Sequence, residues 1–96
     1  MVVVFLGTCT NDGTGEKNCF DFTVDGVRQG GDDGIIQEQE ADSDFAISFA
    51  YLVTDLAAGT HTVNLQWKTS GGTLTMYAGA GTASFDLHPS IYAFEI

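Results

Sequence analysis

Apolar and polar positions alternate with a period of two over most of this chain, and no stretch carries the repeat of an amphipathic helix. The run Val2-Val3-Val4-Phe5-Leu6 differs in being continuously apolar over the length of a strand. Such a run predicts a strand covered on both faces, either within its own domain or by a neighbouring subunit. The turn-rich Asn11-Asp12-Gly13-Thr14-Gly15 falls in a loop from Thr10 to Asn18. Beyond it, Phe20, Phe22 and Val24 alternate with Asp21, Thr23 and Asp25 in the rhythm of a half-buried strand. Asp25-Gly26 favours positive φ at two successive residues, which predicts a tight primed hairpin turn and a return strand from Val27 to Gln29.

Gly30-Gly31-Asp32-Asp33-Gly34 reads as a flexible loop, and after Ile35 and Ile36 a polar, acidic segment runs to Asp44 with no regular structure assigned. Phe45, Ile47, Phe49 and Tyr51 then oppose the small Ala46, Ser48 and Ala50, predicting a long central strand. Leu56-Ala57-Ala58-Gly59 is a connector into a core strand in which Val63, Leu65 and Trp67 alternate with Thr62, Asn64, Gln66 and Lys68. Ser70-Gly71-Gly72 predicts a hairpin turn into Thr73–Ala78, continuing a meander. Gly79 to Ala83 is loop, and Pro89 precedes a last strand carrying Tyr92, Phe94 and Ile96. About seven to eight short strands at this spacing imply an all-β fold, an antiparallel two-sheet β-sandwich or a barrel.

Length confines these strands to a single domain spanning residues 1–96. So small a unit has a limited core of its own, and packing against identical neighbours would supplement it. Thirteen acidic residues against three basic ones give a net charge of -10. That charge repels phosphate backbones and anionic lipid, so neither nucleic acid nor membrane is an expected partner. Met1 to Leu6 lacks the basic flank and the length of an export signal. Cys9 and Cys19 flank the first loop, where antiparallel strands would bring their Cβ atoms within bonding range. In the reducing cytosol free thiols are the expected state.

Candidate chemistry is sparse. His61 is in phase with Val63, Leu65 and Trp67 and reads as a structural, hydrogen-bonded histidine at a strand end, while His88 in Asp86-Leu87-His88-Pro89 faces solvent or an interface. No nucleophile elbow or cysteine-protease signature occurs, and Cys9, Cys19, His61 and His88 lack the paired short spacing of a zinc site. Asp32, Asp33, Asp42 and Asp44 are weak calcium candidates, because calcium takes six to eight oxygen ligands. The simpler reading of Glu38, Glu40, Asp42 and Asp44 is a solvated strand face or loop. Gly13-Thr14-Gly15 and Gly79-Ala80-Gly81 lack the helix and lysine of a phosphate loop and read as turns. No catalytic residue and no cofactor are expected. Tyr77 and Tyr92 suit either stacking on host-surface sugars or packing at a subunit interface, and Val2, Val4 and Leu6 join them as interface candidates.

The stretch Val53-Thr54-Asp55-Leu56-Ala57-Ala58-Gly59-Thr60-His61-Thr62-Val63-Asn64-Leu65-Gln66-Trp67-Lys68 resembles a segment that recurs in tailed-bacteriophage virion proteins. Gly72 to Gly79, Asp86-Leu87-His88-Pro89, the closing Phe94-Glu95-Ile96 and the upstream Val24-Asp25-Gly26 look like parts of the same family, so the resemblance covers roughly residues 20–96. It implies a jelly-roll-like knob similar to the globular heads of C1q-like proteins, usually a homotrimer on a tail fibre, a needle or a capsid. No heptad or repeat precedes Val2, which departs from a stalked fibre tip and favours a capsid decoration protein. The expectation is a non-enzymatic virion protein, assembled in the host cytoplasm and bound to other virion proteins. The alternatives are a receptor-binding tip and a carbohydrate-binding module.

Overall fold

A computed structural model of the chain describes residues 1–96 apart from 42, 80, 82 and 85, with 40 and 41 described by their backbone alone. Eight strands follow in order: β1 (Val2–Asn11), β2 (Thr14–Val24), β3 (Val27–Arg28), β4 (Ile36–Ala41), β5 (Asp44–Leu52), β6 (Val63–Thr69), β7 (Leu74–Met76) and β8 (Ser90–Phe94). They form two antiparallel sheets packed as a sandwich, each built around one long strand. In the β1 sheet, β5 pairs along one edge of β1 from Val2↔Leu52 to Thr10↔Asp44. The other edge is shared end to end by β8, opposite Val2–Leu6, and β7, opposite Cys9–Asn11. In the β2 sheet, β6 covers one edge of β2, while β4 and then β3 share the other.

Alternation decides which side chains meet between the sheets. Val3, Phe5 and Cys9 of β1 face Phe20, Phe22 and Val24 of β2, with Phe45, Ile47 and Phe49 of β5 completing the core beside Val53 and Leu74. Phe49 is the ring that joins the layers. Its centroid lies 6.2 Å from Phe5 in its own sheet, and 6.3 Å from Phe20 and 4.5 Å from Phe22 across the sandwich, the last pair stacked. Such pairs add to burial through the quadrupoles of the rings.

Several sequence expectations are met and several are corrected. Asp25 (φ 51) and Gly26 (φ 83) form the primed turn between β2 and β3. The acidic segment after Ile36, to which the sequence assigns no regular structure, belongs to β4, zipped onto β2 with Ile36 opposite the buried Phe20. The loop expected between Thr10 and Asn18 shrinks to Asp12-Gly13, because Gly15 (φ 69) is absorbed as a bulge where the β2–β4 register shifts. Ser70-Gly71-Gly72 does not close a hairpin: β6 lies in the β2 sheet and β7 in the β1 sheet, so the turn carries the chain across the sandwich. Trp67, on the strand expected in the core, is 45 % exposed at an edge of the β2 sheet, and β5, expected to be central, is likewise an edge strand that pairs with β1 alone. Ile96 lies beyond β8 and is exposed.

The chain passes between sheets at the same end three times, at the β1–β2, β4–β5 and β6–β7 connections. A buried amide holds that end. Asn11 is 1 % exposed, and its Nδ2 donates to Asn18 Oδ1 (2.8 Å), Thr69 Oγ1 (2.9 Å) and the Gly71 carbonyl (3.1 Å), while its Oδ1 accepts from Gly13 N (2.8 Å). A Cβ on Gly72 would lie 2.2 Å from Asn11 Oδ1, so this turn admits only glycine. Both cysteines are buried and unpaired, one on each sheet, with Cys9 Sγ 3.5 Å from Met76 Sδ and Cys19 Sγ 3.5 Å from Gln37 Nε2.

Because Phe49 bridges both layers, Phe49→Ala should cost about 3–5 kcal/mol, a large share of a small domain's stability. Urea unfolding followed by far-UV circular dichroism would measure it. A loss below about 1 kcal/mol would mean that the ring cluster does not hold the sheets together.

Candidate functional site

The odd-numbered residues of β1 enter the core, so the even-numbered ones must project from the other side of the sheet. Register makes that outer face a grid of three rows. Leu52, Val2 and Phe94 form the first row, Ala50, Val4 and Tyr92 the second, and Ser48, Leu6 and Ser90 the third. None of these nine positions carries a charge, in a chain with sixteen charged residues. Leu6, Leu52, Tyr92 and Phe94 are 43–52 % exposed. At the usual strand spacing of about 4.8 Å and same-face repeat of about 6.7 Å, the grid covers on the order of 300 Å² with its side chains. That matches the largest apolar patch of an ordinary monomer, and such patches are often functional.

The interface candidates Val2, Val4, Leu6 and Tyr92 are therefore neighbours on this one face. Tyr77 lies on the same face at its polar end, where its backbone N–H donates to the Thr8 carbonyl (3.0 Å) and its hydroxyl to Asp44 Oδ1 (3.0 Å). Sequence reasoning missed both Phe94 and Leu52 as parts of the patch. The parity of Ala46, Ser48 and Ala50 pointed to Leu52, but the only outer-face neighbours visible without register were small.

The calcium candidates are not brought together. Asp33 binds Lys68 (2.9 Å) and Asp32 lies 3.8 Å from Arg28 on the β2 sheet, whereas Asp44 binds Tyr77 on the outer face of the β1 sheet. Asp42 lies outside the described residues. The described residues contain no group of three or more His, Cys, Asp or Glu able to hold a metal. Glu38 points from β4 on the same side as Ile36, with Glu40 next in that parity along the backbone. His88 Nε2 is 3.3 Å from Asp86 Oδ1 at an exposed site. Burial pushes the Cys9 thiol up to about 11, which withholds a thiolate nucleophile.

His61 is the most fully engaged titratable group. Its Nδ1 lies 2.7 Å from Asp25 Oδ2 and its Nε2 2.6 Å from the Ala57 carbonyl. The other Asp25 oxygen accepts from Thr62 N (2.8 Å). Both ring nitrogens face acceptors, so the contacts are satisfied together only when both carry hydrogen, in the imidazolium form. The Asp25 hydrogen bond, the Ala57 carbonyl and the Asp25 charge raise the His61 pKa, and the same contacts with His61 and Thr62 lower that of Asp25. The ring ties the β2–β3 turn to the connector before β6.

A raised histidine pKa contributes stability that is complete below the unfolded value of 6.5 and is lost as pH rises through the folded value. The lowered Asp25 contributes above its unfolded 3.8 and loses its contribution as pH falls. The His61–Asp25 clamp is thus strongest between those two values. The thermal midpoint of His61→Gln should approach that of the parent at pH 8.5 and fall below it at pH 5.5, and a gap that does not depend on pH would refute the clamp. No family model, curated protein or solved structure matches the chain, and the site is read from its own geometry.

Proposed function

We propose that the chain is a non-enzymatic assembly protein of a virion, which self-associates through the outer face of the β1 sheet and displays the opposite face. The observation that carries this reading is the uncharged grid around Val4. Copies bearing a charge of -10 each repel one another, and they approach most easily through a surface free of carboxylates. The grid has the make-up of an interface centre, with charges absent, aromatic residues present, and a polar rim beginning at Ser48, Ser90 and Thr8. The order of association implied by the resemblance to phage knobs is a homotrimer. Its partners in that setting are other virion proteins of the capsid or tail, with decoration of the head the leading reading and a receptor-binding tip the alternative.

Sedimentation equilibrium at micromolar concentration should give a trimer. Leu6→Glu, on the exposed side of β1, should weaken association by about 2 kcal/mol or more, a factor of about thirty, and leave a folded monomer. A parent protein that is monomeric and folded at that concentration would overturn the proposal. Binding of the purified protein to expanded heads, with a rise in their heat resistance, separates head decoration from a tail location.

A further inference from the structure

The outer face of the β2 sheet is the opposite of the grid. All three basic residues of the chain, Lys17, Arg28 and Lys68, fall there by register, beside Gln37, Gln39, Asn64 and Gln66. Midway along β2 the neighbouring edge is interrupted between β3 and β4, where residues 29–35 leave the sheet and return, tied by Gln29 N to the Phe22 carbonyl (3.0 Å) and by Ile35 N to the Phe20 carbonyl (2.8 Å). The flap has no freedom to be larger. A Cβ on Gly34 would lie 2.5 Å from the Phe20 carbonyl oxygen, and one on Gly30 would lie 2.4 Å from the Gly34 carbonyl carbon.

Between this flap and β6 lies a cavity of about 100 Å³. Asp21 lines it, at 5 % exposure. One carboxylate oxygen, Oδ1, holds the flap by accepting from Phe22 N (2.7 Å) and Gly30 N (2.9 Å). The other, Oδ2, is buried and has no hydrogen-bond partner. A buried acceptor left unpaired is costly, and in native proteins it has a reason. The nearby cations do not supply one, since Lys68 Nζ donates to the Asp32 carbonyl (2.6 Å) and Asp33 Oδ1 (2.9 Å), and Arg28 pairs with Asp32.

The lining selects among ligand classes. A metal ion wants several oxygen ligands, and the described residues offer no such group. An anion would meet the Asp21 charge. Arg28, Lys68 and Gln66 bring donor groups to the lining and Asp21 and Asp33 bring acceptors, a mixture that suits a neutral group able to do both. We propose that this cavity binds adjacent hydroxyls of a neutral sugar, one donating to Asp21 Oδ2 and its neighbour accepting from Arg28, Lys68 or Gln66. The site lies on the face opposite the assembly grid and does not rest on the assembly reading.

Asp21→Asn separates ligand binding from flap support, because the amide keeps an Oδ1 acceptor for Phe22 N and Gly30 N and replaces only the unpaired oxygen. Glucose, galactose, mannose and N-acetylglucosamine would be titrated singly into the full chain. The readouts are the fluorescence of Trp67, the single tryptophan, which borders the cavity, and the amide shifts of Gly30, Gly34 and Gln66. At least one sugar should give saturable changes at millimolar concentration, weakened about tenfold or more in Asp21→Asn and unaffected by Leu6→Glu. Arg28→Ala, at a half-exposed side chain, should weaken binding severalfold and serves if Asp21→Asn does not fold. Three results would overturn the proposal: no saturable change with any sugar, meaning that Asp21 Oδ2 stays closed to ligand; equal binding by all variants; or the same shifts produced by ammonium chloride, meaning that the site takes a cation.

Discussion

The side-chain amide of Asn11 is the contact on which both sheets depend. It sits where β1 ends and reaches Asn18 in β2, Thr69 at the end of β6 and the Gly71 carbonyl in the turn to β7. Two of the three connections at that end, β1–β2 and β6–β7, therefore share one buried polar centre, and the relative position of the two sheets there follows from its hydrogen bonds. Outside contacts reinforce it: Thr73 N donates to Asp12 Oδ1 (2.7 Å), and Ser70 Oγ donates to Glu16 Oε2 (2.6 Å) while accepting from Lys17 N (2.8 Å). A fully satisfied buried network of this kind specifies one arrangement where apolar packing alone tolerates several.

What could be read in the sequence was whatever one strand decides for itself. Parity placed Phe45, Ile47 and Phe49 inside, and Asp25-Gly26 declared its turn, because both effects are local. The two-sided apolar character of Val2 to Leu6 was also visible, and so were four of the nine grid positions, Val2, Val4, Leu6 and Tyr92. Features that depend on two distant segments were hidden. Whether Ser70-Gly71-Gly72 makes a hairpin or a crossing turns on Asn11, some sixty positions away, as the Asn11–Gly71 separation records. Trp67 looked like core because its parity is right, yet it is half exposed on an edge strand of the β2 sheet. Asp21 carried no signal at all, since an acidic residue alternating with Phe20 and Phe22 is the normal pattern of a solvated face. Its burial comes from the flap between β3 and β4.

The two outer faces divide the chain's polarity. One has no charge over its nine-position grid, and the other gathers every lysine and arginine, two of them paired with the acidic flap. A sandwich only two layers thick makes this division available cheaply, because each strand's alternation serves the common core on one side and leaves the other side free to differ.

The pairing of β1 also sets an order of events during synthesis. β1 is the first strand in the chain, yet its partners β5, β7 and β8 begin at Asp44, Leu74 and Ser90. The β2 sheet needs nothing beyond Thr69, so all of its strands precede β8, the last neighbour of β1, along the chain. Until β8 emerges, an apolar strand lacks its full pairing and is a template for stray β association.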